Sequence, residues 1–153
     1  MAFKISGIVL ASILFLMGCD SSRLYEEYRG MDSGSWNLTD TVTFVVPKPL
    51  PDSKTLLAIK YNNEYEFRNL YLTYFLKDSL NQTIESQLIE IPLFDSKSGK
   101  PLGKGYGNTF TKFDTISINS SEVFSSIQMV QYMRTDQLKG IESLGLKILK
   151  NSY

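Results

Sequence analysis

Thr41-Val42-Thr43-Phe44-Val45-Val46, closed by Pro47 and Pro49, is the stretch that decides the fold class. Every residue in it is β-branched or aromatic, the types that pack best on a pleated surface. Neither proline can donate to a ladder, so the strand stops there. The same signature recurs at 56–61, 70–77, 83–93, 113–118, 125–134 and 143–150, with an eighth run around 102–110. Between these runs lie turn-forming clusters at Asn62-Asn63, 78–81, 95–99 and Asn119-Ser120. The spacing predicts an all-β domain, an antiparallel β-sandwich with Greek-key or jelly-roll-like connections. A short helical turn at 136–139 is the expected exception, and neither a repeat nor a second domain is read.

Working back towards the N-terminus, Lys4 precedes a nearly unbroken apolar run of 13 residues, Ile5 to Met17, followed by Gly18 and Cys19. That run suits the core of a signal peptide and is shorter than the roughly 20 residues of a membrane-spanning helix. Leu16-Met17-Gly18-Cys19 has the form of a bacterial lipobox, with cleavage between Gly18 and Cys19 and the Cys19 thiol receiving the diacylglyceryl group. The alternatives are an ordinary signal peptide with an incidental cysteine, or a short N-terminal anchor. Cys19 is the only cysteine in the sequence, so the mature domain has neither a disulfide nor a free thiol. The expected organisation is a removed signal segment at 1–18, a lipidated cysteine and tether at 19–35, and the sandwich at 36–153. As a coil, the tether would reach roughly 20 to 25 Å.

Composition narrows the function. At 42% hydrophobic and 21% charged, 153 residues make one domain too apolar for disorder. Sixteen basic residues balance sixteen acidic ones, so no excess charge draws in nucleic acid. There is no histidine, which removes the commonest general base and the commonest neutral metal ligand.

The remaining chemical candidates each have a plainer reading. Gly103, Gly105 and Gly107 look like a phosphate loop, but no Gly-Lys-Ser/Thr ending and no helix pattern follow them. Alternate glycines in a strand more often mark a close backbone approach, so no nucleotide is expected. Asp95-Ser-Lys-Ser-Gly99 resembles the start of a calcium loop, yet Lys97 and Gly99 stand where oxygen ligands belong. An aspartate-initiated turn explains it, and neither a metal nor a cofactor is expected. The carboxylate pairs Glu26 with Glu27, Glu64 with Glu66, and Glu85 with Glu90 are the remaining route to acid–base chemistry. Glu64 and Glu66 read as a solvated turn edge, and no catalytic residue is assigned. Trp36 and the nine tyrosines suggest a sugar platform, but most alternate with polar residues at strand spacing, which core packing explains first.

In the tether, Leu24, Tyr25 and Tyr28 sit at helical spacing around Glu26 and Glu27. With Trp36 at the start of the domain they are the candidate residues for docking a partner.

Several segments in order resemble the GldH gliding-motility lipoproteins of Bacteroidota. They are Cys19 to Tyr28, Trp36 ahead of Asp40 to Phe44, Tyr61 to Tyr65 with Asn69-Leu70, Leu102 to Gly107, and Gln131 to Arg134 through 138–141 to Gly145-Leu146. The turn at 95–100 departs from the family in being longer and richer in lysine. The resemblance implies a non-enzymatic lipoprotein at the outer membrane, working with other gliding or secretion proteins of the envelope and linked to type IX secretion. Asp20-Ser21-Ser22-Arg23 supplies one acid after the cysteine where surface export favours an acidic run, which points to the periplasmic face. A carbohydrate-binding or hydrolytic envelope lipoprotein of the same sandwich class is the alternative.

Overall fold

A computed structural model describes residues 22–46, 53–120 and 122–151. The signal segment, Gly18, Cys19, Pro47 and Pro49 lie outside the described residues. In chain order the strands are β1 (Arg23–Gly30), β2 (Ser35–Asn37), β3 (Val42–Val45), β4 (Ser53–Asn62), β5 (Asn69–Lys77), β6 (Thr83–Pro92), β7 (Lys104–Tyr106), β8 (Thr109–Ile116), β9 (Ser126–Gln131), β10 (Gln137–Lys139) and β11 (Ile141–Lys150). One sheet runs β1-β11-β4-β8-β7, a second runs β3-β9-β5-β6, and β10 pairs with β2 in a small third. All pairings are antiparallel. The chain passes between the two large sheets at β3–β4, β4–β5, β6–β7 and β8–β9, so most paired neighbours are not consecutive. The all-β sandwich expected from the alternation is what forms.

Period-two patterning builds the core. In β5, Leu70, Leu72, Tyr74 and Leu76 are buried, while Tyr71, Thr73, Phe75 and Lys77 face the other way and are half-buried. Leu57, Ile59 and Tyr61 of β4 and Leu144, Leu146 and Ile148 of β11 supply the opposing layer. Each such side chain contributes about 1.5–3 kcal/mol by leaving water.

Two tyrosines tie the layers together with their hydroxyls. The Tyr61 hydroxyl donates to the Leu93 carbonyl at 2.7 Å and accepts from the Gly103 amide at 3.0 Å. The Tyr74 hydroxyl donates to Glu85 at 2.5 Å, and the Glu85 carboxylate accepts from the amides of Asn119 and Ser120. Burial, with Glu85 adding to it, pushes the Tyr74 hydroxyl pKa up. Burial alone would raise Glu85, but hydrogen bonds from Tyr74, Ser120 and Asn119 hold it below the ordinary carboxylate value. A depressed folded pKa stabilises the fold above the unfolded value, near 4.3, and that stability is lost as pH falls through the folded pKa. The melting temperature should therefore drop on acidification below about pH 4. Glu85→Gln should melt lower at neutral pH and lose less on acidification, and an unchanged acid limb would remove Glu85 from the account.

The glycine segment serves backbone geometry. A Cβ on Gly105 would lie 1.9 Å from the Thr109 carbonyl oxygen, and one on Gly103 would lie 2.8 Å from the Thr111 carbonyl carbon. Both clashes are with the facing strand β8, which follows directly where a phosphate loop needs a helix. Gly105→Val is expected to cost a few kcal/mol at most, because short β7 can peel away. Thermal melting checks this, and a rise in the wild-type melting temperature with added ATP or GTP that Gly105→Val abolishes would revive the nucleotide reading.

Two sequence expectations are corrected. Residues 137–139 form β10 instead of a helical turn: Leu138 is buried between exposed Gln137 and Lys139, which is strand period in a run too short to reveal it. Residues 23–30 are not a coil with a helical turn but an edge strand along β11, so the folded sheet starts at Arg23 rather than Trp36. A register shift between Arg23 and Tyr25 leaves Leu24 out of the pairing with β11, which breaks the alternation there and hides the strand period.

Candidate functional site

Strand geometry keeps the carboxylate pairs from converging. Neighbours Glu26 and Glu27 point to opposite faces of β1, as Glu85 and Glu90, an odd number apart, do on β6. Glu64 and Glu66 are exposed in the connection after β4, the solvated edge the sequence suggests. Asp95 spends its carboxylate on its own turn, accepting from the amides of Lys97 and Ser98 and from the Ser98 hydroxyl. Those donors, led by the Ser98 amide, hold its pKa below the ordinary aspartate value.

The four docking candidates separate by position. Trp36 is 0% exposed, its indole N–H donating to the Asp40 carbonyl at 3.0 Å, so it is a core residue and no anchor for a partner. Tyr25 faces inward beside Ile148, half-buried, with its hydroxyl donating to Glu27; burial first and that carboxylate second push its pKa up. Tyr28 faces outward and lies over Gly145, where a Cβ would meet its ring at 2.3 Å. Its hydroxyl donates to Glu26 at 3.0 Å. Leu24 is exposed at the start of the strand. The helical spacing thus hid two exposed residues and one inward one, while Trp36 belongs to the core.

A different surface lies on the second sheet. On the outer face of the second sheet, Thr43, Gln128, Phe75 and Ser86 form one row across four strands, and Val130, Thr73 and Leu88 form the next. Tyr132 continues this face beyond β9, bonded through its amide to the Tyr71 carbonyl, and is 64% exposed. Lys77 and Glu90 stand at opposite ends, leaving the middle uncharged. Lys77 bonds the Thr83 hydroxyl at 2.7 Å, and Asn69 donates to Glu90. Sequence reading missed this face, although Tyr71 and Phe75 between the buried leucines of β5 were a signal that both sides of the strand are apolar.

Two grooves are open on the surface. One of about 460 Å3 lies between the end of β1 and β3, lined by Arg29, Asp32, Asp40 and Val42 and by no aromatic ring. Another, of about 490 Å3 at β7 and β8, has Phe113 beside Lys104 and Lys112. Of the exposed tyrosines, Tyr28 and Tyr106 stand on the two opposite edge strands of the first sheet and Tyr132 lies just past β9 of the second, which is not the clustered platform a sugar needs.

The model of the family described as GldH lipoprotein matches residues 23–148, from the first residue of β1 nearly to the end of β11. The chain belongs to the GldH lipoprotein family. It is 30% identical over 113 residues to the gliding motility lipoprotein GldH of Flavobacterium johnsoniae, covering 72% of this chain and 67% of that protein. To a GldH homolog of Christiangramia forsetii it is 27% identical over 98% of this chain and 97% of that one. Among solved structures, the VP2 subviral particle of infectious bursal disease virus matches at a TM-score of 0.42 and 18% identity, covering 87% of this chain and 34% of that one. The GldH family match takes in β1, in agreement with its place in the sheet.

Proposed function

We propose that this GldH-family chain is a lipoprotein of the outer membrane, anchored at Cys19 on the periplasmic side, and a non-enzymatic structural or assembly component of the gliding machinery linked to type IX secretion. Its relatives carry the gliding-motility name. The observation that carries the docking role is the uncharged outer face of β3-β9-β5-β6, a flat surface of Phe75, Leu88, Val130 and Tyr132 suited to a protein partner. Among the described residues no group of three or more Cys, Asp or Glu side chains is placed to hold a metal ion.

Anchoring is tested at the cysteine. Cys19→Ala should leave a precursor that keeps its signal segment and takes up no palmitate analogue, because the sequence holds no second thiol. Normal labelling of that variant would end the lipoprotein reading. Envelope crosslinking of the intact chain should capture a partner through the outer sheet face, while a glycan array with the same chain should stay blank.

A further inference from the structure

One end of the sandwich gathers the first residue of β1, the start of β4, the end of β8, the β5–β6 turn and the connection into β9. The register shows it: Arg23 pairs with Leu149, Lys150 with Ser53, and Thr55 with Ile116. In the other sheet Ser126 pairs with both Val45 and Lys77. The Ser125 amide donates to the Lys77 carbonyl at 2.8 Å and its hydroxyl to the Asp78 carbonyl at 2.7 Å, joining the loop after β8 to the β5–β6 turn.

At this end the loop tips carry apolar side chains that the fold does not use. Leu80 is 78% exposed, at the tip of a turn held by the Asp78 carboxylate, which accepts from the amides of Leu80 and Gln82. Val123 is 66% exposed, in a loop pinned at Ser120 and Ser125. Leu24 is exposed at the same end, where β1 begins. Such tips are ordinarily polar. Lys54 and Lys150 are exposed at the same strand ends. Of the acids nearby, Asp78 holds its turn, Glu85 holds Tyr74 and the loop, and Glu26 takes Arg23 and Tyr28; Glu122 is the exception.

The position of the anchor turns these tips into a surface. Only three residues separate Cys19 from Arg23, so the Cys19 Cα lies within roughly 14 Å of the Arg23 Cα even with the chain fully extended. That is well short of the 20 to 25 Å reach read for a 16-residue coil. We infer that the domain sits end-on against the bilayer, with Leu80 and Val123 entering the lipid interface and Lys54 and Lys150 meeting headgroup phosphates. The seating rests on the lipidation of Cys19 proposed above. It leaves the outer face of the second sheet standing upright and open to partners.

The test uses the full lipidated chain in vesicles of phosphatidylethanolamine with a minority of phosphatidylglycerol. Leu80→Cys, Val123→Cys and Tyr106→Cys each give a single reactive thiol, since the Cys19 sulfur is consumed by its lipid. Tyr106 is 96% exposed on the hairpin joining β7 to β8, at the opposite end. With a polarity-sensitive fluorophore on each, emission at 80 and 123 should shift blue and be quenched by nitroxide lipids, while emission at 106 stays aqueous and unquenched. Vesicle flotation with all three positions aqueous overturns the seating and leaves lipidation standing. Quenching at all three overturns the end-on orientation. A chain that does not float at all overturns both readings.

Discussion

Gly140→Ala is expected to destabilise the sandwich by about 3 kcal/mol or more, far beyond an ordinary surface substitution. Gly140 joins β10 to β11 at φ +82, and a Cβ there would lie 2.3 Å from the Tyr65 amide nitrogen, 2.7 Å from its Cα and 2.8 Å from the Glu64 carbonyl carbon. All three are backbone atoms, so no flexible side-chain tip can swing aside. Movement of that loop would disturb Tyr65, which is buried, bonds the Asn69 carbonyl through its hydroxyl at 2.8 Å and stacks on Phe94. Gly140 itself donates to the Gly34 carbonyl and accepts from the Asn62 amide at 2.9 Å. Gly34 supplies the control: its φ is +65 but nothing stands within 4 Å of its Cβ position. Gly34→Ala should cost only the backbone preference, about 1–2 kcal/mol. Equal losses for the two variants in urea unfolding would show that the contact at Tyr65 relaxes freely.

The contrast also shows what a sequence can carry. Strands such as β5 were legible because Leu70, Leu72, Tyr74 and Leu76 repeat at period two over a length no turn can match. Strands β2 and β10 span three residues each, and over so short a run one buried residue between two polar ones fits a turn as well as a strand. Strand β1 failed for another reason. It is an edge with a bulge at Leu24, and its charges pair along the strand, Arg23 with Glu26 and Arg29 with Glu27, so little in its composition marks a sheet. What makes it a strand is the partner β11, more than a hundred residues later. The candidate site was legible only in part for the same reason. Trp36 stands out by type, but burial is a property of the whole fold, and the outer face of the second sheet exists only once β3, β9, β5 and β6 lie side by side.

Charging that outer face should abolish gliding without unfolding the domain. Tyr132→Asp combined with Leu88→Asp places carboxylates at two exposed positions that pack on nothing inside, so stability should stay within about 0.5 kcal/mol of the wild type at each. If a partner covers this surface, each new charge must be desolvated on docking. A loss of about 3 kcal/mol, roughly a hundredfold in affinity, is then a moderate expectation for a central interface position. Tyr106→Asp adds one carboxylate at a still more exposed position on the β7–β8 hairpin, away from this face, and should leave gliding intact. Colony spreading, abundance in the envelope and crosslinking yield are the three readouts. Normal gliding by the double variant at wild-type abundance would clear the second sheet of a docking role. The surface left to examine would be the outer face of the first sheet, where Tyr28 covers Gly145 and Phe113 pairs with Ala58 in the same row. Lost gliding together with lost crosslinking, at an unchanged melting temperature, would place the partner on β3-β9-β5-β6, because neither substitution reaches the core or the lipid anchor.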